Sequence, residues 1–151
     1  MSSLSALPRD VPGVHPPFAN YSHGVLVPPG HATLFLSGQL GITDLKEVPE
    51  DAGAQADVIF RSVAALLSEG DMSAADVVRI NAFVTDRAYL GPYMAARDRF
   101  LESAAAQEAG AQEAGAQPAA SPPASTLVVV SGFSREEFKV EVEIVAAKAP
   151  A

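Results

Sequence analysis

Two glutamates stand two residues apart in the run Val140-Glu141-Val142-Glu143-Ile144. A strand turns alternate side chains to opposite faces, so both carboxylates share one face and the valines share the other. A positioned carboxylate can hold a water and accept its proton as a general base. The alternative is that such glutamates are solvated or ion-paired on a last strand. Ser37-Gly38-Gln39-Leu40-Gly41 is the second stretch of interest: its glycines either let a ligand or another backbone approach closely, or simply end a strand. His15, His23 and His31 recur every eight residues. A proline-rich arm and a turn separate them, so no metal site is assigned. Ser22 and His23 are neighbours on an extended segment and point to opposite faces, which rules them out as nucleophile and base. Arg79, on one face with Asn81 and Phe83, reads as a surface ion-pair residue or as a guanidinium for that face.

The chain of 151 residues suits one domain, and 48% hydrophobic content is enough for one core. Its formal charge of −8, from 18 acidic and 10 basic residues, would repel a phosphate backbone, so nucleic acid is not an expected partner. With no cysteine, disulfides, thiolate metal sites and cysteine nucleophiles are excluded. The first twenty residues lack the basic start and apolar stretch of a secretory signal, and no apolar run is long enough to span a bilayer. A soluble, cytoplasmic protein with no membrane partner is expected.

Positioning the two chemical stretches requires a scaffold. Residues 1–17, with Pro8, Pro12, Pro16 and Pro17, read as an irregular arm. His23 to Val27 and Ala32 to Ser37 read as a hairpin across Pro28-Pro29-Gly30-His31. From Asp51 to Glu69, Ala56, Ile59, Val63 and Leu66, with Phe60 and Leu67, form the stripe of an amphipathic helix that Gly70 stops. Ser73 and Asp76 predict a capping box, and Val78, Ile80, Ala82 and Val84 a strand with one apolar face. A second helix should begin near Gly91-Pro92 and run to about Ser103, burying Tyr93, Phe100 and the stem of Arg97, whose charged head reaches solvent.

Gln-Glu-Ala-Gly-Ala then occurs twice in tandem, at 107–111 and 112–116. Its five-residue period fits neither helix nor strand, so 104–121 is read as a flexible insertion in a domain spanning 18–147, with 148–151 as a tail. Pro122 to Gly132 and Phe138 to Val145 read as two strands joined by a short polar loop. The order ββαβαββ, with both helices on one face of a mixed sheet, predicts an α+β sandwich. Its other face, expected to carry Phe35, Phe83, Leu127 and Val129, would need covering by another subunit.

Four segments together resemble the Rid family of reactive intermediate deaminases, also called the YjgF or endoribonuclease L-PSP family. They are Asn20-Tyr21-Ser22-His23-Gly24-Val25, Leu36-Ser37-Gly38-Gln39-Leu40, Asp76-Val77-Val78-Arg79 leading to Phe83-Val84-Thr85-Asp86, and Val140-Glu141-Val142-Glu143-Ile144. The similarity covers Phe18 to Leu101 and Pro122 to Ala147. It implies a chorismate-mutase-like fold assembled as a homotrimer, with inward-facing sheets and clefts between subunits. Active members hydrolyse short-lived enamines and imines to a ketone and ammonia, and use no cofactor.

The same resemblance implies a site. Tyr21 and Glu141 take catalytic roles, Tyr21 pointing into the cleft and Glu141 holding or activating water. Ser37, Gly38, Phe83, Ser125, Thr126 and Leu127 take substrate-binding roles. The family's substrate-carboxylate arginine falls within Pro123-Ala124-Ser125-Thr126, where this chain has Ser125, and an asparagine of the second helix aligns with Met94. A hydrogen bond to a charged group contributes about 1.5–3 kcal/mol, and serine cannot replace a bidentate guanidinium. The implied function is a Rid-like conversion of a reactive imine, enamine or related small molecule other than the usual short α-imino acid. The alternative is a non-catalytic trimeric module that binds a metabolite or protein. RNA cleavage is disfavoured by the negative charge.

Overall fold

A computed structural model describes residues 3–111 and 121–151, the side chains of 104–111 excepted. The chain runs through β1 (Ser5–Ala6), β2 (Val25–Leu26), β3 (Ala32–Leu40), α1 (Ala52–Glu69), β4 (Val77–Val84), α2 (Leu90–Ala111), β5 (Ala124–Val129) and β6 (Val140–Lys148). Single 3₁₀ turns at Ala74–Asp76 and Arg87–Tyr89 lead into β4 and α2. The main sheet has the order β3-β6-β4-β5; β6 is antiparallel to both neighbours, and β5 is parallel to β4. This is an α+β sandwich of the chorismate-mutase-like type, with two helices on one face of a mixed sheet.

Local signals fix α1. The Asp51 carboxylate accepts from the Ala54 N–H at 2.8 Å and closes the first turn. At the other end the Asp71 N–H donates to Ser68 O and the Met72 N–H to Leu67 O, the paired bonds of a Schellman motif. The left-handed residue of that motif is Asp71, at φ 56°, and Gly70 keeps φ −88°. Gly70 is needed for room instead, because a Cβ there would lie 2.8 Å from Leu34 Cδ2. The predicted capping box at Ser73 and Asp76 is present.

The core lies between helices and sheet. Ile59, Val63 and Leu67 of α1 and Tyr93 and Phe100 of α2 pack on Ile80 and Val84 of β4 and on Val140, Val142 and Ile144 of β6. Phe60 and Phe100 stack at 4.9 Å across the helix pair. Gln55, fully buried, joins α1 to the entrance of β6. Its Nε2 donates to Pro49 O at 2.7 Å and Glu137 O at 2.8 Å, and its Oε1 accepts from the Lys139 N–H at 2.9 Å.

Several expectations are corrected. Val25–Leu26 pairs with Ser5–Ala6 of the arm, and β3 pairs with β6, so there is no hairpin between 23 and 37. Pro28 and Pro29 have no N–H to give a ladder, whereas β6 offers nine residues of partner. The arm is correspondingly more ordered than predicted: the Leu7 N–H donates to Gly24 O at 2.9 Å and Arg9 Nη2 to Pro17 O at 2.9 Å. β5 and β6, consecutive in sequence, are separated by β4. The helical backbone continues to Ala111, and the rest of the predicted insertion, 112–120, lies outside the described residues. Arg97 does not reach solvent but is 3% exposed. On β5, Leu127 and Val129 lie opposite Ala82 and Val84, on the helix side, and Val128 joins Phe83 on the bare face. An unbroken apolar run carries no alternation from which its facing could be read.

Gln55→Leu keeps the volume but leaves two carbonyls and one N–H near the core unpaired. It should lower stability by on the order of 2–3 kcal/mol, read as a lower urea midpoint with an unchanged slope.

Candidate active site

Cross-strand register places Glu141 opposite Phe83 and Glu143 opposite Asn81, so both carboxylates stand on the bare face, as their spacing predicts. Their surroundings differ. Glu143 accepts from Asn81 Nδ2 at 2.9 Å. Glu141, half-buried, has no hydrogen-bond or ion-pair partner among the described residues.

The neighbour that shapes the position of Glu141 is Gly38. The β3–β6 ladder shifts register between Leu36 and Gln39, so Ser37 and Gly38 form an irregularity that presses the backbone against Glu141. A Cβ on Gly38 would lie 2.9 Å from the carboxyl carbon of Glu141 and collide with its Oε1. What approaches Gly38 is the Glu141 side chain, and β3 continues past the glycine to Leu40. Gln39 folds back, its Nε2 donating to Ser37 O at 3.1 Å.

The remaining predicted residues fall in two places. Thr126 lies on the bare face in register with Asn81 and accepts from Arg79 Nη2 at 2.9 Å, so Arg79 holds a hydroxyl and not the expected ion-pair partner. Ser125, opposite Ile80, and Leu127, opposite Ala82, face the helix layer, where Leu127 and Met94 border the core. Tyr21 lies at the outer edge of β5: Ser22 bridges to Ala124, and the Ser22 N–H donates to Pro123 O at 3.0 Å. The Tyr21 hydroxyl accepts from the Phe18 N–H at 3.1 Å, which leaves its proton free to donate. Ser125 is thus two strands away from Glu141, about 9.5 Å at the usual interstrand spacing, and Tyr21, beyond β5, is three spacings away, about 14 Å. Ser125 and Glu141 also occupy opposite sheet faces.

The three histidines do not converge. His15 stacks on Phe18 at 4.5 Å, His23 Nε2 lies 3.1 Å from Arg9 O, and His31 is half-buried before β3. Among the described residues no group of three His, Asp or Glu could hold a metal, and no helix is long and apolar enough to cross a membrane.

One polar cluster was not anticipated. Tyr93 and Arg97 were expected only as parts of an apolar stripe, yet Arg97 Nε and Nη2 both donate to Asp98 Oδ1 at 3.2 Å and Asn20 Nδ2 approaches the same oxygen at 3.4 Å. The buried hydroxyls of Tyr93 and Ser125 have no partner among the described residues. An arginine on a helix's buried stripe was the available signal.

The structure is a small α+β domain with one sheet face uncovered and, on that face, a carboxylate unpaired among the described residues and held against a glycine bulge. The family comparison agrees: the model described as endoribonuclease L-PSP matches residues 13–148, and the chain belongs to that family, the Rid family. Solved structures share the fold. YyfB of Yersinia pestis, described as a Rid family protein of unknown function, superposes with a TM-score of 0.73 at 23% identity, covering 96% of this chain and 98% of that one. RidA of an Antarctic Psychrobacter gives 0.60 at 25% identity, covering 86% and 89%. TdcF of E. coli, solved with bound serine, gives 0.63 at 22% identity, covering 95% and 98%. No curated protein matches the sequence significantly. Membership of this family supports a role in processing or binding small molecules.

Burial pushes the Tyr93 hydroxyl well above the ordinary tyrosine pKa; the charge of Arg97 opposes this and that of Asp98 adds to it. Because the folded value is the higher one, the stabilisation is complete below the unfolded pKa of about 10 and is lost as pH rises beyond it. In an alkaline titration followed by phenolate absorbance, one of the three tyrosines should stay protonated above pH 10 until the chain unfolds, and Tyr93→Phe should remove that component.

Proposed function

We propose that this protein is a Rid-like enzyme that hydrolyses, or otherwise converts, a reactive imine, enamine or related metabolite in clefts between the subunits of a homotrimer. The observation that carries this reading is Glu141. Of two glutamates on one strand face, one is held by Asn81, while the other is half-buried, unpaired among the described residues, and backed by a glycine that leaves its carboxylate room. A carboxylate so placed can orient a water and take its proton as the water attacks the imine carbon. The resulting carbinolamine then loses ammonia once its nitrogen is protonated. The Tyr21 hydroxyl is the proton donor in this scheme.

The division of the site supports the trimer. A single chain presents Glu141, Phe83 and Thr126 on the bare sheet face, with the Ser37–Gly38 backbone beside Glu141. Tyr21 stands at the β5 edge, with Ser125 and Leu127 on the helix side. One small ligand can meet both sets only if the bare face of one subunit lies against the β5 edge of the next. Exposed Phe35, at 74%, together with Val128 and Val145, gives that face apolar surface to bury.

The substrate differs from the usual short α-imino acid, because Ser125 occupies the position of the family's carboxylate-binding arginine and Met94 and Leu127 make the wall apolar. Serine in the bound TdcF structure shows that a relative accepts a small amino acid.

Ammonia release from an imine generated in the assay should fall about 10²- to 10⁴-fold in Glu141→Gln with assembly intact; a wild-type rate in that variant sinks the proposal. No turnover of any imine by the wild-type trimer would favour the binding-module alternative. Ser125→Arg should raise kcat/KM for a short α-imino acid by about ten- to a hundredfold, the size of one charge-assisted contact.

A further inference from the structure

The seam between α2 and β5 holds more polar chemistry than the proposed hydrolysis uses. Arg97 is 3% exposed, and its two hydrogen bonds fall on a single oxygen, Asp98 Oδ1. A guanidinium has five N–H donors in a fixed fork. The Nη1 edge has no partner among the described residues. One helical turn earlier, Tyr93 places its ring 5.9 Å from the guanidinium carbon and leaves its own buried hydroxyl unpaired. Ser125 turns a second buried, unpaired hydroxyl toward the same helix layer.

The segment Asn20–Ser22 limits how far apart these groups can be. Asn20 reaches Asp98 on α2, and Ser22 pairs with Ala124 on β5. Two residues span at most about 7 Å of chain. Arg97, next to Asp98, and Ser125, next to Ala124, are therefore joined through one short stretch of the arm. Tyr21 lies between the two anchors.

A buried cation is costly unless its charge and its donors are both answered. Asp98, with its side chain 38% exposed, answers the charge through one oxygen, and the rest of the fork has no protein partner among the described residues. Spare guanidinium donors with two hydroxyl donors nearby are the complement of an oxyanion.

We propose that Arg97, with the Tyr93 and Ser125 hydroxyls, binds the anionic group of the ligand, the carboxylate of a small organic acid. The site rests on the reading of the α2–β5 seam as one wall of the ligand cleft. On binding, the ligand carboxylate takes the place of Asp98, which turns to water, so one carboxylate is exchanged for another and the buried charge stays balanced. The positive charge then comes from a helix and not from β5. This sets the acid group at a different distance from Glu141 and selects a ligand of different length.

The test uses the full-length protein with pyruvate and benzoate as probes, affinity being read by calorimetry and contact by the Arg97 Nε–Hε NMR resonance. At least one probe should shift that resonance saturably. Arg97→Lys should bind it about tenfold more weakly, since an ammonium cannot reproduce the fork. Asp98→Asn should bind it several-fold more tightly, because the competing carboxylate is gone; a structural ion pair alone would give no gain. No shift at Arg97 with either probe, or an Asp98→Asn protein that binds no better than wild type, overturns the proposal. Should Arg97→Lys fail to fold, the Asp98→Asn affinity and the Arg97 resonance still decide. Imine turnover that survives without carboxylate binding removes this site and leaves the hydrolase reading, whereas carboxylate binding without turnover confirms the site and removes the hydrolase reading.

Discussion

The placement of β6 between β3 and β4 is the constraint on which the rest of the molecule depends. Every second residue of this strand, Val140, Val142, Ile144 and Ala146, is buried under the helices, and the intervening positions stand on the bare face. A slip of one residue would send Glu141 and Glu143 into the core and the valines out, so the register is strongly specified. It is also anchored from outside the sheet. Gln55 binds the backbone at Glu137 and Lys139 immediately before the strand, and the Thr85 N–H donates to Lys139 O at 3.1 Å. A buried amide on α1 thus helps decide where a carboxylate on β6 stands.

From that register the chemistry divides between two surfaces. On the bare face Asn81 takes up one glutamate and leaves the other free, and the bulge at Ser37–Gly38 clears the space beside it. On the other side α2 brings Tyr93 and Arg97 inward, and the extended segment at Asn20–Ser22 ties the helix to β5. The arm contributes through this tie, since Phe18 orients the Tyr21 hydroxyl and Pro17 is buried.

Much of the scaffold was legible in the sequence because its signals are local. The stripe of α1 with Asp51 before it, the capping box at Ser73, the alternation of β4 and the two-residue spacing of Glu141 and Glu143 each need only neighbouring residues to be interpreted. Strand partners were not legible. The hairpin expected across Pro28-Pro29 gave way to a pairing of β2 with the arm, and β5 and β6, adjacent in sequence, are kept apart by β4. Leu127 and Val129 were assigned to the wrong face because an unbroken apolar run has no phase, and only its parallel register with β4 supplies one.

The sequence by itself determined the fold class, the family and the carboxylate face of the last strand, since periodicity and motif order survive without knowledge of what packs on what. Tertiary structure alone decided that Glu143 is held while Glu141 is unpaired among the described residues, because the difference is made by Asn81 on β4, 62 residues from Glu143, and by Gly38 on β3. It also decided that Arg97 is buried. A long side chain on a helical stripe can run out to solvent or fold under, and the choice belongs to the elements around it.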